Sequence, residues 1–202
     1  AGSILTCSVI SVRADFAAGQ RAYNDGDYAT AIREYKQDGS AAAHYSLGQM
    51  YAEGKGTKQR NNREAMKWYR RAADQGSVKA QYALGLMYAI GEGGAANKTE
   101  AAKWYRKAAE QGHVAAQYNL AMMYDKGDGV EHDKNAAAKW YLKAAEQGHA
   151  AAQFSIAQIY DSGDGEVEAD KKEAAQWYLK SAEKGNVRAQ FRIAQMYDKG
   201  EA

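Results

Sequence analysis

Four tryptophans, Trp68, Trp104, Trp140 and Trp177, fall 36, 36 and 37 residues apart, and a tyrosine follows each of them directly. Gly76, Gly112, Gly148 and Gly185 keep the same step, as do Tyr51, Tyr88, Tyr124, Tyr160 and Tyr197. Several anchors holding one period over most of a chain mean a repeated structural unit, because chance would lose register. A unit of this length has room for two helices and their links. It cannot bury its own apolar face, so it must stack on its neighbours.

Within each unit the pattern reads as two helices. The first, as in Val78 to Ala89, puts apolar residues at Ala80, Tyr82, Leu84, Met87 and Tyr88. A glycine-rich link follows, then a second helix such as Asn97 to Gln111, opened by the capping box Asn97-Lys98-Thr99-Glu100. Asn61 with Glu64, and Asp170 with Glu173, repeat that device, while Asp133 lacks the glutamate. Gly112 and its equivalents end the second helix, since glycine enters the left-handed conformation without a Cβ clash. Small residues at Gly48, Gly85, Ala121, Ala157 and Ala194 let paired helices approach closely, and the Trp-Tyr pairs are expected to supply most of the area buried between units. The sequence contains no proline, as suits a mostly helical chain.

Ala116-Gln117-Tyr118-Asn119-Leu120-Ala121-Met122-Met123-Tyr124, then Gly127-Asp128-Gly129-Val130, then Ala138-Lys139-Trp140-Tyr141-Leu142-Lys143-Ala144-Ala145-Glu146-Gln147-Gly148 resemble the Sel-one-like repeat (SLR) family, longer relatives of the tetratricopeptide repeats. The resemblance covers roughly residues 40 to 202. It implies an all-α fold, a right-handed α-solenoid superhelix of stacked antiparallel helix pairs, acting as an adaptor. Bacterial proteins of this kind are often exported and implicated in host contact, envelope assembly or signalling.

The chain then divides into a leader at 1–14, a degenerate N-terminal capping hairpin at 15–39, and an SLR array at 40–202. The array units are 40–76, 77–112, 113–148 and 149–185, with a half repeat at 186–202. In the leader, the mildly apolar run Ile4 to Val12 and then Val12-Arg13-Ala14 resemble the end of a secretory signal peptide, while Thr6 before Cys7 makes a poor lipid-attachment site. In the capping hairpin Asn24-Asp25-Gly26-Asp27 is the turn, and Tyr35 stands four residues before Gly39 where Tyr69 stands seven before Gly76. The second helix should therefore lack three residues, about 4.5 Å of rise. Val187 to Tyr197 is a first helix without its partner, expected either to mark a truncated array or to meet another chain.

Charge and motifs exclude more than they assign. Lys+Arg (27) and Asp+Glu (25) nearly cancel, which gives no case for DNA or RNA as a partner. No apolar run is long enough to span a membrane. Gly54-Lys55-Gly56-Thr57 breaks the order of a phosphate loop, and Asp161-Ser162-Gly163-Asp164 spaces its acids wrongly for calcium. His113 and His149 follow helix-ending glycines in successive repeats, too far apart to share a metal, and read as turn residues. Ser181-Ala182-Glu183-Lys184 has the Ser-x-x-Lys spacing of penicillin-recognising enzymes, but Ser181 stands where other repeats carry Ala108 or Ala144, and the companion motifs are absent. Some cysteine-rich SLR proteins are described as β-lactamases, and their paired cysteines are missing here. Lys67, Lys103, Lys139, Arg70 and Arg106 read as a solvated face, with Arg106 four residues before Glu110. No catalytic residue, cofactor or metal ligand is assigned.

Comparing repeats with one another separates scaffold from freedom. Identity varies at Ser46, Ala83, Asn119, Ser155 and Arg192; three residues on, at Gln49, Leu86, Met122, Gln158 and Gln195; and four further on, at Glu53, Ile90, Lys126, Ser162 and Lys199. Steps of three and four place these on one face of each first helix. By analogy with helical solenoids that face is the concave one. Ala83, Leu86, Ile90 and Met122 form an apolar centre flanked by polar residues, as in a protein or peptide site. Ser46, Gln49, Ala83, Leu86, Ile90, Asn119, Met122, Ser155, Gln158, Arg192 and Gln195 are the candidate contacts. The expected function is a non-enzymatic interaction scaffold, bacterial and exported to the periplasm or beyond, a cytoplasmic location being the alternative. A β-lactamase-like enzyme and an envelope protein self-associating through the half repeat are the competing readings.

Overall fold

The computed structural model describes residues 15–201, so the leader-like stretch and Cys7 lie outside the described residues. Among those residues there are helices and no strands: α1 Phe16–Asn24, α2 Tyr28–Asp38, α3 Ala41–Glu53, α4 Asn62–Asp74, α5 Val78–Ile90, α6 Lys98–Glu110, α7 Val114–Lys126, α8 Lys134–Glu146, α9 Ala150–Ser162, α10 Lys171–Glu183 and α11 Val187–Asp198. They form antiparallel pairs in chain order. The chain parts into two compact units between Gln75 and Gly76, one holding α1–α4 and the other α5–α11. No described helix is long and apolar enough to cross a membrane.

Each helix starts where a side chain can accept a free backbone N–H. Asn61, Asn97, Asp133 and Asp170 accept from the N–H of Glu64, Glu100, Ala136 and Glu173 at 2.9–3.1 Å. The expected capping box is only half made. The N–H of each cap residue donates not to the glutamate but to the carbonyl of Tyr51, Tyr88, Tyr124 or Tyr160, at 2.8–3.1 Å. Those bonds fasten each second helix to the end of its own first helix. The glutamates are released for other partners: Glu64 and Glu100 pair with Lys67 and Lys103 at 2.6 Å, and Glu173 accepts from Trp177 Nε1 at 2.8 Å.

At the other end of a second helix Gln111 is the cap and Gly112 follows at φ +87°, with Gly112 N–H bonded to Ala109 O and His113 N–H to Ala108 O. In α2 the glycine moves up by one place. Gly39 is itself the cap, so α2 has 11 residues where α4 has 13, a deficit of two rather than the expected three.

Small residues set how closely a pair packs. A Cβ on Gly85 would lie 2.4 Å from the Tyr105 ring, and one on Gly48 2.5 Å from Tyr69. Gly19 meets Tyr35 in the same way at 2.6 Å, so the α1–α2 hairpin uses the same device. The two aromatics of each pair face different ways. Trp68 packs on a cluster that includes Ala31 and Tyr35 of the preceding α2, and Lys36 lies over its ring. Tyr105 and Tyr141 turn their hydroxyls forward, to Asn119 of α7 and Ser155 of α9. A basic residue three positions on covers each indole: Arg71 on Trp68, Lys107 on Trp104, Lys143 on Trp140 and Lys180 on Trp177, at 3.9–4.4 Å from the ring centre.

Links add a second layer of contact between successive hairpins. Gly129 sits against the Lys98 backbone, and Lys98 pairs with Asp128 at 2.9 Å. One repeat later Lys134 pairs with Asp164, while Asn135 Oδ1 accepts from the Glu166 N–H at 2.7 Å.

Candidate protein-binding face

The variable rows on the first helices differ in what they touch. Ser46, Asn119, Ser155 and Arg192 are half-buried and meet the hydroxyls of Tyr35, Tyr105, Tyr141 and Tyr178. Burial raises all four phenols, Tyr105 and Tyr178 to about 12. This row is therefore part of the packing between hairpins and not a wholly free surface. Ala83, half-buried as well, has no polar group to offer.

The next rows are more open. Gln49, Leu86 and Gln158 are exposed, Met122 and Gln195 half-buried, and Ile90 is 66% exposed. In α7, Asn119, Met122 and Lys126 line one hollow of about 240 Å³ with Ala89 and Tyr105, which brings two expected contacts together. A wider hollow of about 740 Å³ between α9 and α11 is lined by Gln158, Arg192 and Gln195 together with Phe154, Phe191 and Arg188. Ser46 and Gln49 belong to α3, in the other compact unit. Phe154 and Phe191 escape a comparison of repeats because they occupy a repeated aromatic position, shared with Tyr82 and Tyr118, which looks like scaffold. Arg188 lies one turn before Arg192, and extending the variable row by four residues would have found it.

Arg192 is tied down. Its guanidinium donates to Asp161 at 2.9 Å through Nε, and Lys171 and the Tyr178 hydroxyl reach the same carboxylate. Burial alone would raise the Asp161 carboxyl, but the hydrogen bonds from Lys171 and Arg192 outweigh it and hold the group below the usual carboxylate range.

Residues weighed for chemistry have structural partners. Ser181 is fully buried and donates to Ala150 O at 2.7 Å. His113 and His149 are not plain turn residues but the N-caps of α7 and α9. Their Nδ1 atoms accept from Ala116 and Ala152 N–H at 3.2 Å, and their rings stack on Tyr82 and Tyr118 at 4.3 and 4.5 Å. Arg106 bonds to the Tyr124 hydroxyl instead of pairing with Glu110.

The Sel1 repeat pattern matches residues 41–77, 78–113, 114–149, 150–186 and 187–202, each unit starting one residue later than the sequence reading places it. No curated protein matches the chain. Among solved structures, a Sel1 repeat protein from Oxalobacter formigenes is 37% identical with a TM-score of 0.83, over 91% of this chain and 76% of that one. A protective antigen of uropathogenic Escherichia coli displaying an SLR fold is also 37% identical, with a TM-score of 0.86, over 93% of this chain and 41% of that one. This chain thus spans less than half of the antigen's length. A third structure, from Klebsiella pneumoniae, is 18% identical with a TM-score of 0.50, over 90% of this chain and 91% of that one, and shares the fold alone. With the repeat pattern matched through the array and two structures similar at this level, the chain belongs to the Sel1 repeat family.

Proposed function

We propose that this chain is a non-enzymatic scaffold that holds a protein or peptide partner on the first-helix face of its hairpins. Sel1 repeat proteins are in general protein–protein interaction scaffolds. The observation that carries the reading is the exposure of Leu86 (37%) and Ile90 (66%) beside the half-buried Met122, on a face rimmed by Asn119, Gln158 and Gln195. Leu86→Asp combined with Met122→Asp should abolish partner capture from extracts of the native host and leave helical circular dichroism unchanged. Undiminished capture by the double variant would refute the site.

Self-association is a second reading, favoured by the exposure of Val187 (74%), Phe191 (67%) and Tyr197 (61%) on α11. Light scattering on the chain and on a Val187→Ser, Phe191→Ser variant tests it, and a dimer that survives both changes rules α11 out. The leader-like residues before Asp15 support export as part of the proposal, and fractionation of host cells checks it.

A further inference from the structure

Resting on the scaffold reading, we propose that the first-helix face of α5–α11 takes an acidic segment of a protein partner that carries apolar anchor residues. Over the whole chain the charges nearly cancel, 27 basic against 25 acidic. This face departs from that balance. Steps of four, three and four along the first helices bring Lys79, Lys126, Arg188, Arg192 and Lys199 onto the face that holds Leu86, Ile90 and Met122. Within α5–α11 no carboxylate stands at any of those positions, the Glu53 of the same row belonging to α3. The hollows bear out the shared faces, since Lys126 lines one with Met122, and Arg188 and Arg192 line the other with Gln195.

Availability matters as much as sign. Lys79, Lys126, Arg188 and Lys199 are exposed, and among the described residues none of their side chains has an ion pair or hydrogen bond. By contrast, Lys67 on α4 and Lys103 on α6 are each neutralised by a glutamate. Two of the carboxylates nearest the face are already engaged. Asp161, its side chain only 9% exposed, is shared by Arg192 and Lys171, and Asp128 is paired with Lys98; Asp125 and Asp198 are exposed at the helix ends beside Lys126 and Lys199.

An acidic ligand would therefore meet unpaired cations around an aliphatic centre, with the amides of Gln158 and Gln195 able to bond to an extended backbone. Charges arranged this way steer encounter and choose among partners, while the apolar anchors supply the holding energy. The same cations could attract a nucleic acid. Aromatics line this face at the α9–α11 end, in the half-buried Phe154 and the exposed Phe191 beside Arg188. The centre at Leu86, Ile90 and Met122 is aliphatic and gives successive bases no continuous stacking platform, which favours the peptide.

The test uses labelled peptides about twelve residues long, with identical Leu and Phe anchors spaced by Glu, by Gln or by Lys, plus a Glu-spaced peptide whose anchors are Ser and a single-stranded oligonucleotide. Fluorescence anisotropy on the full chain should show the Glu-spaced peptide binding at least about tenfold tighter than the Gln-spaced one, and weakening as salt rises from about 50 to about 300 mM. The Lys-spaced and Ser-anchored peptides should bind far more weakly. Lys126→Glu with Arg188→Glu should reverse the preference toward the Lys-spaced peptide, with circular dichroism reporting that the fold is kept. Equal binding of the Glu- and Gln-spaced peptides, binding by none of them, or an oligonucleotide bound as tightly as the Glu-spaced peptide would overturn the inference. Loss of binding of the Gln-spaced peptide on Leu86→Asp would still leave the scaffold reading standing, so the two failures are distinguishable.

Discussion

Gln147 donates its side-chain amide to Gln117 Oε1 at 2.7 Å, and Gln117 passes its own amide to Ala109 O at 3.1 Å. A buried glutamine thus has both its acceptor and its donor used, which keeps its burial from costing free energy. Gln111 and Gln81 repeat the first bond at 2.7 Å. One repeat further on the pattern breaks. Gln153, 4% exposed, still donates to Ala145 O, but Lys184 stands where the donating glutamine should be, and Gln153 Oε1 has no partner among the described residues. Lys184→Gln should restore the bond and stabilise the fold by about 1 kcal/mol in urea unfolding. Lys184→Ala, which supplies no donor, should not. Equal midpoints for the glutamine and alanine variants would show that the orphaned oxygen carries no penalty.

Asp161 and Arg192 make the second prediction. The carboxylate is nearly enclosed and leans on Arg192, Lys171 and Tyr178. Arg192→Ala removes one of two cations from a desolvated anion and should cost about 1–3 kcal/mol. The folded carboxyl titrates below its ordinary range, so the stability it supplies is present above that range and fades as pH falls through the lowered value. The gap between wild type and variant should therefore persist at pH 5 and narrow only in stronger acid. A gap that closes between pH 7 and pH 5 would mean the pair is not what stabilises this corner.

The period, the two-helix unit, the small residues under the tyrosines and the repeat family can be read from the sequence because each recurs. Repetition makes one geometric requirement visible several times over. What escapes is set by contacts between positions distant in sequence. Glu100 three residues after Asn97 looks like half of a capping box, and only the Asn97 N–H pointing at Tyr88 O shows that the box is open. Arg106 and Glu110 have ideal spacing, but Tyr124 of the next helix competes better for the guanidinium. The variable row at Asn119 and Ser155 looks free because its identity changes. Small polar residues differing in shape can all meet a tyrosine hydroxyl, so tolerance of change does not mean absence of contact.

Two glycines separate backbone strain from close approach. Gly112 and Gly129 have φ of +87° and +78°, yet a Cβ at Gly112 meets nothing within 4 Å, while one at Gly129 would lie 2.4 Å from the Lys98 carbonyl carbon. Gly112→Ala bears only the left-handed strain, about 1 kcal/mol. Gly129→Ala adds a clash with backbone that cannot rotate away, and should cost about 2–4 kcal/mol as the link lifts off α6. Thermal denaturation of the two variants side by side checks this. Equal losses would mean that the Gly127-Asp128-Gly129 link moves freely, and with it the contact between Gly129 and Lys98.

His113 and His149 carry the last prediction. As N-caps each must accept a hydrogen bond through Nδ1, which only a neutral imidazole can do. Burial of the two rings, stacked on Tyr82 and Tyr118, lowers both pKa values from the ordinary 6.5. The unfolded chain therefore takes up these protons at higher pH than the folded one. Stability from both caps is fully present above the unfolded value, begins to fall as pH drops below about 6.5, and is lost as pH passes through the lowered folded values. Asparagine caps α11 at Asn186 and does not titrate, so His113→Asn with His149→Asn supplies cap oxygens and removes the proton sites. At pH 7.5 the double variant should be less stable by about 1–3 kcal/mol, since it forfeits two aromatic stacks worth about 0.5–1.5 kcal/mol each. Between pH 7.5 and pH 5 its melting temperature should fall less steeply than that of the wild type, with the slope that remains coming partly from His44, whose pKa burial also lowers. Melting curves at half-unit pH steps decide the matter. Parallel profiles for the two proteins would mean that the imidazoles cap their helices without governing the loss of stability in mild acid.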